Sequence, residues 1–456
     1  MSKRYVFWRS LGKKRPGKDH RQHGPRHLLA KLGTSARIKS PTEVTWAGFG
    51  VLRFQTALKY SLLVRDPDGE ELNEYDSASI VQNAMIGLMT KAGGGKPMAP
   101  ADVIAEGDAV AAKHFRTKKE SYVAVTSISL ESLPWKKLKV KQCILRPLNE
   151  RGSKYPLPAA VANLDERFEA HLKSSRYCLL RIDTSGRTIY EANDNAATAV
   201  NFLRGIWNLM LTFQSWSISR GHTRQQPMGV IHPGPIISLH RPDGTPVSDI
   251  LWVEKSFGGE AEPFKPKKGW LEIEKQRRFL MRCVERLPYR REMESIMARY
   301  AVALDHTDLD VAFLQLWSIL EKITGTIGSN YDDTIRRTTW GWPGRYTEME
   351  VLQALRLRRN HYVHSAATME NQDQMTYMLK SFVDPHLLRL IRNDFRVKNL
   401  DEYAQYLHLS SDVSALDKKR KTYGHAIRTL KKWQAVAAAS PQEDDLPASV
   451  QLVMGS

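Results

Sequence analysis

A chain of 456 residues, 42% hydrophobic and 26% charged with 11 Trp, has the composition of a globular protein of two or three domains, at roughly 100–200 residues each, and can bury a real core. Its three separated cysteines, Cys143, Cys178 and Cys283, exclude a disulfide framework and a cysteine zinc site and fit a reducing, cytoplasmic compartment. The net charge of +19 points to a polyanionic partner, nucleic acid before an anionic membrane surface.

Residues 1–40 carry 12 Lys or Arg, including Lys13, Lys14 and Arg15, against one acid, Asp19. Glycines and prolines scattered among the charges predict a flexible basic arm that attracts nucleic acid through counterion release; a solvated tail without a partner is the alternative. His20, His23 and His27 stand in this arm without Cys or acidic neighbours, so no metal site is expected there. The basic start is followed by no continuous apolar stretch, so a secretory signal is not expected. The best apolar run, Ala196 to Phe213, is broken by Asn201, Arg204, Gly205 and Asn208, so no membrane span or membrane partner is expected.

Residues 41–260 read as an α+β sensor or adaptor region. Strand-like runs cover Thr45 to Leu63, Tyr122 to Ile128, Lys137 to Leu145 and Tyr177 to Ile182. Turns are expected at Asp66-Pro67-Asp68-Gly69 and Pro242-Asp243-Gly244, and a hairpin at Ser185-Gly186 within Arg176 to Glu191. A long helix follows, capped by Asn193 or Asp194, with an apolar stripe of Val200, Leu203, Trp207, Met210 and Leu211. Gly93-Gly94-Gly95-Lys96 resembles a phosphate loop, but position 90 is Thr and Pro97 follows the lysine, so it reads as an ordinary loop.

Residues 257–268, with Gly258, Gly259, Pro263 and Pro266, predict a linker. Beyond it the pattern is helical over 269–438, with candidates at 271–286, 291–304, 308–324, 347–364, 370–382 and 415–438. Pro288 separates the first two, Thr307 with Asp310 starts the third, and Thr347-Glu348-Met349-Glu350 forms a capping box for the fourth. Lys418, Lys419 and Arg420, followed by Lys421, form a solvated helix face with reach to phosphates, and residues 439–456 predict a disordered tail.

The candidate active site is Leu355 to His364. Cutting RNA without a metal needs a base for the 2′-hydroxyl, an acid for the leaving 5′-oxygen and a fixed cation at the phosphate. Histidine titrates near neutral pH, and arginine grips phosphate with two donors, so Arg359 and His364 are chemically sufficient. On an ideal helix these positions lie about 140° apart, so the pair needs a helix end at His364 or a dimer partner. The spacing alone is unspecific; its context is the helix Val311 to Ile323, apolar almost all round and therefore expected in a core, with Trp317 buried and Glu321 at its end placed to pair with Arg359.

Together, Ala312-Phe313-Leu314-Gln315-Leu316-Trp317-Ser318-Ile319-Leu320-Glu321 and Arg359-Asn360-His361-Tyr362-Val363-His364 resemble the HEPN domain, most closely the ApeA-like HEPN domains at the C-termini of prokaryotic anti-phage proteins. The resemblance covers about residues 291–405. It implies an all-α HEPN bundle after the mixed α/β N-terminal region, a homodimer that faces two Arg/His pairs across one cleft, and metal-independent endoribonuclease activity leaving a 2′,3′-cyclic phosphate, with no cofactor. By the same resemblance His364 is acid or base, Arg359 holds the phosphate, Asn360 orients one of them, and His361 and Glu321 support them. Arg358 is a further contact for RNA. The expected role is an abortive-infection effector whose N-terminal region answers a regulatory or phage-derived trigger. A non-catalytic RNA-binding HEPN module and the toxin of a toxin–antitoxin pair are the alternatives.

Overall fold

The computed structural model describes residues 4–9, 25–40, 43–46, 50–69, 71–92, 98–150, 154–213, 215, 227–254, 257, 259–328, 331–365 and 372–439. The protein is mixed α/β, with a six-stranded antiparallel sheet and many helices. Its contacts divide it into two compact units, Met1–Ile319 with Tyr362–Asp394, and Leu320–His361 with Phe395–Ser456. The boundary expected at 257–268 falls inside the first unit.

The first unit begins with β1 (Val6–Trp8), α1 (Pro25–Ser35), β2 (Ala36–Ser40), β3 (Glu43–Trp46), α2 (Gly50–Ser61), β4 (Leu62–Val64), α3 (Glu74–Ala92) and α4 (Pro100–Arg116). β1 pairs antiparallel with β4, and β2 with β3. Val6, Leu29, Leu32, Leu62, Met85 and Val103 belong to one buried apolar cluster. Parts of the expected flexible arm are therefore built into a core. The charge density of 1–40 hid the apolar run around Val6 and the helical spacing of Leu29 and Leu32. Lys13, Lys14, Arg15, His20 and His23 lie outside the described residues, as do Gly93 to Lys96 and the tail from Ser440. The strand expected over 45–63 is mostly helix. In α2, Leu58 turns inward while Arg53, Thr56 and Tyr60 face out, a helical period that its β-forming residues concealed.

The sheet follows, with β5 (Glu120–Ile128), β6 (Leu138–Val140), β7 (Cys143–Leu148), a 3-10 turn at Ala159–Asn163, α5 (Glu166–Ser174), β8 (Cys178–Gly186), α6 (Ile189–Leu211), β9 (Ile236–His240) and β10 (Pro246–Val253). The strand order is β10-β9-β5-β8-β7-β6, and every neighbouring pair is antiparallel. β5 is buried from Tyr122 to Ile128, so both its faces are covered. The run expected as one strand over 137–145 is a tight hairpin turning at Lys141, whose φ is +54°. The turns at Asp66–Gly69 and Arg241–Gly244 are present, each closed by a glycine N–H and with the glycine at positive φ.

No hairpin forms at Ser185-Gly186. β8 runs to Gly186, where a side chain would meet the Ala192 nitrogen at 2.5 Å, and α6 starts at Ile189. Its cap is Thr188, whose hydroxyl accepts the Glu191 N–H at 3.0 Å, rather than Asn193 or Asp194, which lie within the helix. Val200, Leu203 and Trp207 of the expected stripe are buried, and Met210 and Leu211 are half-buried. The expected linker is laid against the sheet: Phe264 N–H donates to Ser129 O at 2.9 Å, Glu131 N–H donates to Phe264 O at 3.2 Å, and Phe257 is buried.

The later elements are α7 (Leu271–Glu285), α8 (Arg290–Asp305), α9 (Leu309–Thr324), α10 (Tyr331–Thr338), α11 (Arg345–Ser365), α12 (Gln372–Arg392), α13 (Leu400–His408) and α14 (Val413–Ala439). The six expected helices are all present, and Pro288 separates α7 from α8. The unforeseen α10 and α13 have 8 and 9 residues, too short for a clear period. Asp308, not Thr307, caps α9, accepting from the N–H groups of Asp310 and Val311. Thr347 lies inside α11, which starts at Arg345, and α12 continues through Pro385 to Arg392. In the second unit, Trp340 packs edge-on against Phe395 at 5.5 Å, and Arg337 donates to Thr324 O at 2.7 Å. No helix among the described residues is long and apolar enough to cross a membrane.

Candidate active site

α9 is buried along Ala312, Phe313, Leu316, Trp317, Leu320 and Ile323, as its apolar sequence requires, with the rings of Phe313 and Trp317 stacked at 6.1 Å. Glu321 is half-buried in its last turn, and its carbonyl accepts the Thr326 N–H at 2.9 Å.

α11 turns Leu352, Leu355 and Arg358 inward and leaves Leu357 exposed. Arg356 and Arg359, three residues apart, share a face of that helix. Both guanidinium groups lie over the ring of Tyr331, at 5.3 Å and 4.9 Å from its centroid, within cation–π reach. Arg356 is also anchored by Asp332 Oδ1 at 2.7 Å and by Gln353 Oε1 at 3.3 Å. Arg359 is different. It is half-buried, its Nε is buried without a hydrogen-bond partner among the described residues, and no carboxylate there pairs with it. The ion pair expected between Glu321 and Arg359 is not formed.

Asn360 is half-buried beside Arg359. The helix continues past His364 to Ser365, so the expected helix end at His364 is displaced by a residue; the side chains of His361 and His364 lie outside the described ones. On α14, Arg420 and Lys421 share Asp417 at 2.6 Å and 3.0 Å, and Lys418 and Lys419 are exposed. Among the described residues no cluster of three or more His, Cys, Asp or Glu has the arrangement of a metal site.

Tyr331 lies outside the candidate segment Leu355 to His364, and Arg356 lies within it but had no role assigned. Arg356 carried a usable signal, because it stands one helical turn before Arg359; Tyr331 reaches the site from another helix and carried none. Compared with known protein families, with curated proteins and with solved structures, the chain matches none.

Proposed function

We propose that this chain is a metal-independent endoribonuclease of the HEPN type, acting as a homodimer, with the helices of 269–438 supplying its catalytic bundle. The observation that carries the reading is the state of Arg359: a guanidinium set on an aromatic ring, with no carboxylate among the described residues to neutralise it. Such a cation is free to take a phosphate with two parallel donors. Arg356, held by Asp332, adds positive potential on the same face.

In this mechanism one histidine of the dimer takes the 2′-hydroxyl proton, and the 2′-oxygen bonds to phosphorus. The bond to the 5′-oxygen breaks, and a second histidine protonates that oxygen, leaving a 2′,3′-cyclic phosphate. His364 fills these acid and base roles, Arg359 neutralises the phosphate as charge grows, Asn360 orients the pair, and His361 supports them. The basic arm with Lys13, Lys14 and Arg15, and Lys418, Lys419 and Arg420 on α14, add attraction for RNA; Arg358, expected as a further contact, is buried and turned inward and is no part of that surface. The biological role in this reading is an anti-phage, abortive-infection effector in the cytoplasm, with the sheet-containing region answering a trigger.

The test is cleavage of RNA in EDTA by the full chain and by Arg359→Ala and His364→Ala, with analysis of the product ends. Cyclic-phosphate products from the wild type, lost in both variants, are expected. Equal cleavage by His364→Ala overturns the site, and RNA binding without cleavage by all three favours a binding module.

A further inference from the structure

A cavity of about 620 Å³ lies in the first unit beside β5, β7, β8 and α5. That is within the usual range of small-molecule sites, roughly 300–1,000 Å³. Leu133, Leu148, Leu172 and Leu179 give it an apolar wall, and Ser127 and His171 line it as well. Ser127 Oγ is 2.9 Å from His171 Nε2. On the other side of the ring, His171 Nδ1 lies 2.5 Å from Glu260 Oε1, a close charge contact that is not aligned as a linear hydrogen bond. Ser127 and His171 are each 4% exposed, and the Glu260 side chain 23%.

Each member is held from its own element. Ser127 comes from the central strand β5, where Gly234 makes room for it: a side chain on that glycine would sit 1.8 Å from Ser127 Oγ. The His171 ring, from α5, is gripped edge-on by Tyr177 at 5.3 Å and Phe257 at 5.5 Å. The Tyr177 hydroxyl accepts the Ala261 N–H at 2.8 Å and so fixes the loop that carries Glu260. Burial pushes the Tyr177 hydroxyl up to about 12, which keeps it neutral beside the carboxylate. A proton on Nδ1, on the side of the ring near the Glu260 carboxylate, leaves the Nε2 lone pair for the Ser127 hydroxyl. This is the order of groups that makes a serine nucleophilic, whatever the fold.

We propose that this cavity is a second catalytic centre, a serine-type hydrolase of small carboxylic esters with apolar acyl groups. Ser127 Oγ bonds to the acyl carbon while its proton passes to His171 Nε2. The ester C–O bond breaks, and the leaving alcohol takes that proton. A water molecule then gives a proton to His171 and bonds to the acyl carbon; the bond to Ser127 Oγ breaks, and the serine recovers the proton. The net change is ester plus water to acid plus alcohol. Glu260 is a positioning residue whose carboxylate charge, close to Nδ1, favours a proton on that nitrogen. This site shares no residue with the Arg359 site, and its reading does not depend on RNA cleavage.

The test uses the full chain with a fluorophosphonate probe and with p-nitrophenyl acetate and butyrate. The wild type is expected to carry one covalent adduct, mapped to Ser127 by peptide mass, and to turn over both esters. Ser127→Ala is expected to lose turnover by about 1,000-fold or more. Glu260→Gln is expected to lower kcat with KM kept, a split that a loss of packing alone does not produce. Absence of an adduct at Ser127 in the wild type overturns the proposal without reliance on any variant's folding. Ester turnover by Ser127→Ala equal to the wild type overturns it as well.

Discussion

Arg204 and Asp305 meet head-on: both terminal guanidinium nitrogens donate to the two carboxylate oxygens, each at 2.8 Å, with Arg204 wholly buried. Asn201 Oδ1 and the Ile231 carbonyl accept from the same guanidinium, and His232 Nδ1 approaches Asp305 at 3.3 Å. The pair ties α6 to the end of α8. The arginine that interrupts the longest apolar run of the sequence is thus neutralised from a distant helix.

Removing one partner leaves a buried charge uncompensated. Arg204→Met and Asp305→Asn are each expected to destabilise the protein by about 3–5 kcal/mol, read as a lower urea midpoint at pH 7. The paired replacement Arg204→Met with Asp305→Leu is expected to recover much of that loss, because no lone charge remains.

The same pair sets an acid limb. Burial pushes the Asp305 carboxyl up, but Arg204 and His232 outweigh it and hold it below the ordinary carboxylate value of 3.8. A depressed folded value means that its stabilisation is complete above the unfolded value and disappears as pH falls through the folded one. Urea midpoints are therefore expected to be insensitive to this group from pH 7 down to about 4, then to drop below that. Asp305→Asn should flatten that drop; an unchanged acid limb in this variant would show that other carboxylates dominate.

Gly205 sits where α6 crosses α8. A methyl group built there would lie 2.2 Å from the Met297 carbonyl oxygen, a backbone atom that cannot swing aside. Gly205→Ala is expected to cost about 1–3 kcal/mol despite the better helix propensity of alanine, measured as a fall in thermal midpoint. A midpoint at or above the wild-type value would mean that the two helices separate without penalty.

Thr188 starts α6 and is tied twice. Its hydroxyl accepts the Glu191 N–H and donates to Asp76 at 2.9 Å. Thr188→Ala is expected to cost about 1 kcal/mol for the lost cap, with somewhat more because the Asp76 carboxylate loses one donor and keeps only that of Asn73 among those described. Thr188→Ser, which keeps the hydroxyl, should recover most of the loss in a chemical denaturation series.

Helices with long amphipathic or uniformly apolar patterns were legible: α9, α11 and α14 could be placed from residue spacing alone. Their starts were less so. Thr188 and Asp308 precede their helices and cap them, yet other polar residues nearby offer the same capping chemistry. Strand order was not legible, because the pairing of β5 with β8 and β9 joins segments far apart in the chain. The Arg359–His364 motif could be read as a string, but Tyr331 beneath Arg359 could not. Ser127, His171 and Glu260 carried no signal, since each lies on a different element with no characteristic spacing between them. Contacts set by tertiary packing leave no local period to read.

Tyr331 gives the RNA-cleaving reading a test that removes no charge. Its ring lies under both Arg356 and Arg359, and an aromatic face holds a guanidinium in place without neutralising it. A cation–π contact at a partly exposed site is worth about 0.5–1 kcal/mol, which corresponds to roughly 2- to 5-fold in RNA affinity. Tyr331→Ala is expected to weaken RNA binding by that factor, while Tyr331→Phe, which keeps the ring, should bind as the wild type does. Arg359→Ala should also lower the salt dependence of binding by about one phosphate contact, whereas Tyr331→Ala should leave that slope unchanged. If Tyr331→Ala changes the slope as Arg359→Ala does, the ring acts by holding the whole helix rather than by seating one cation.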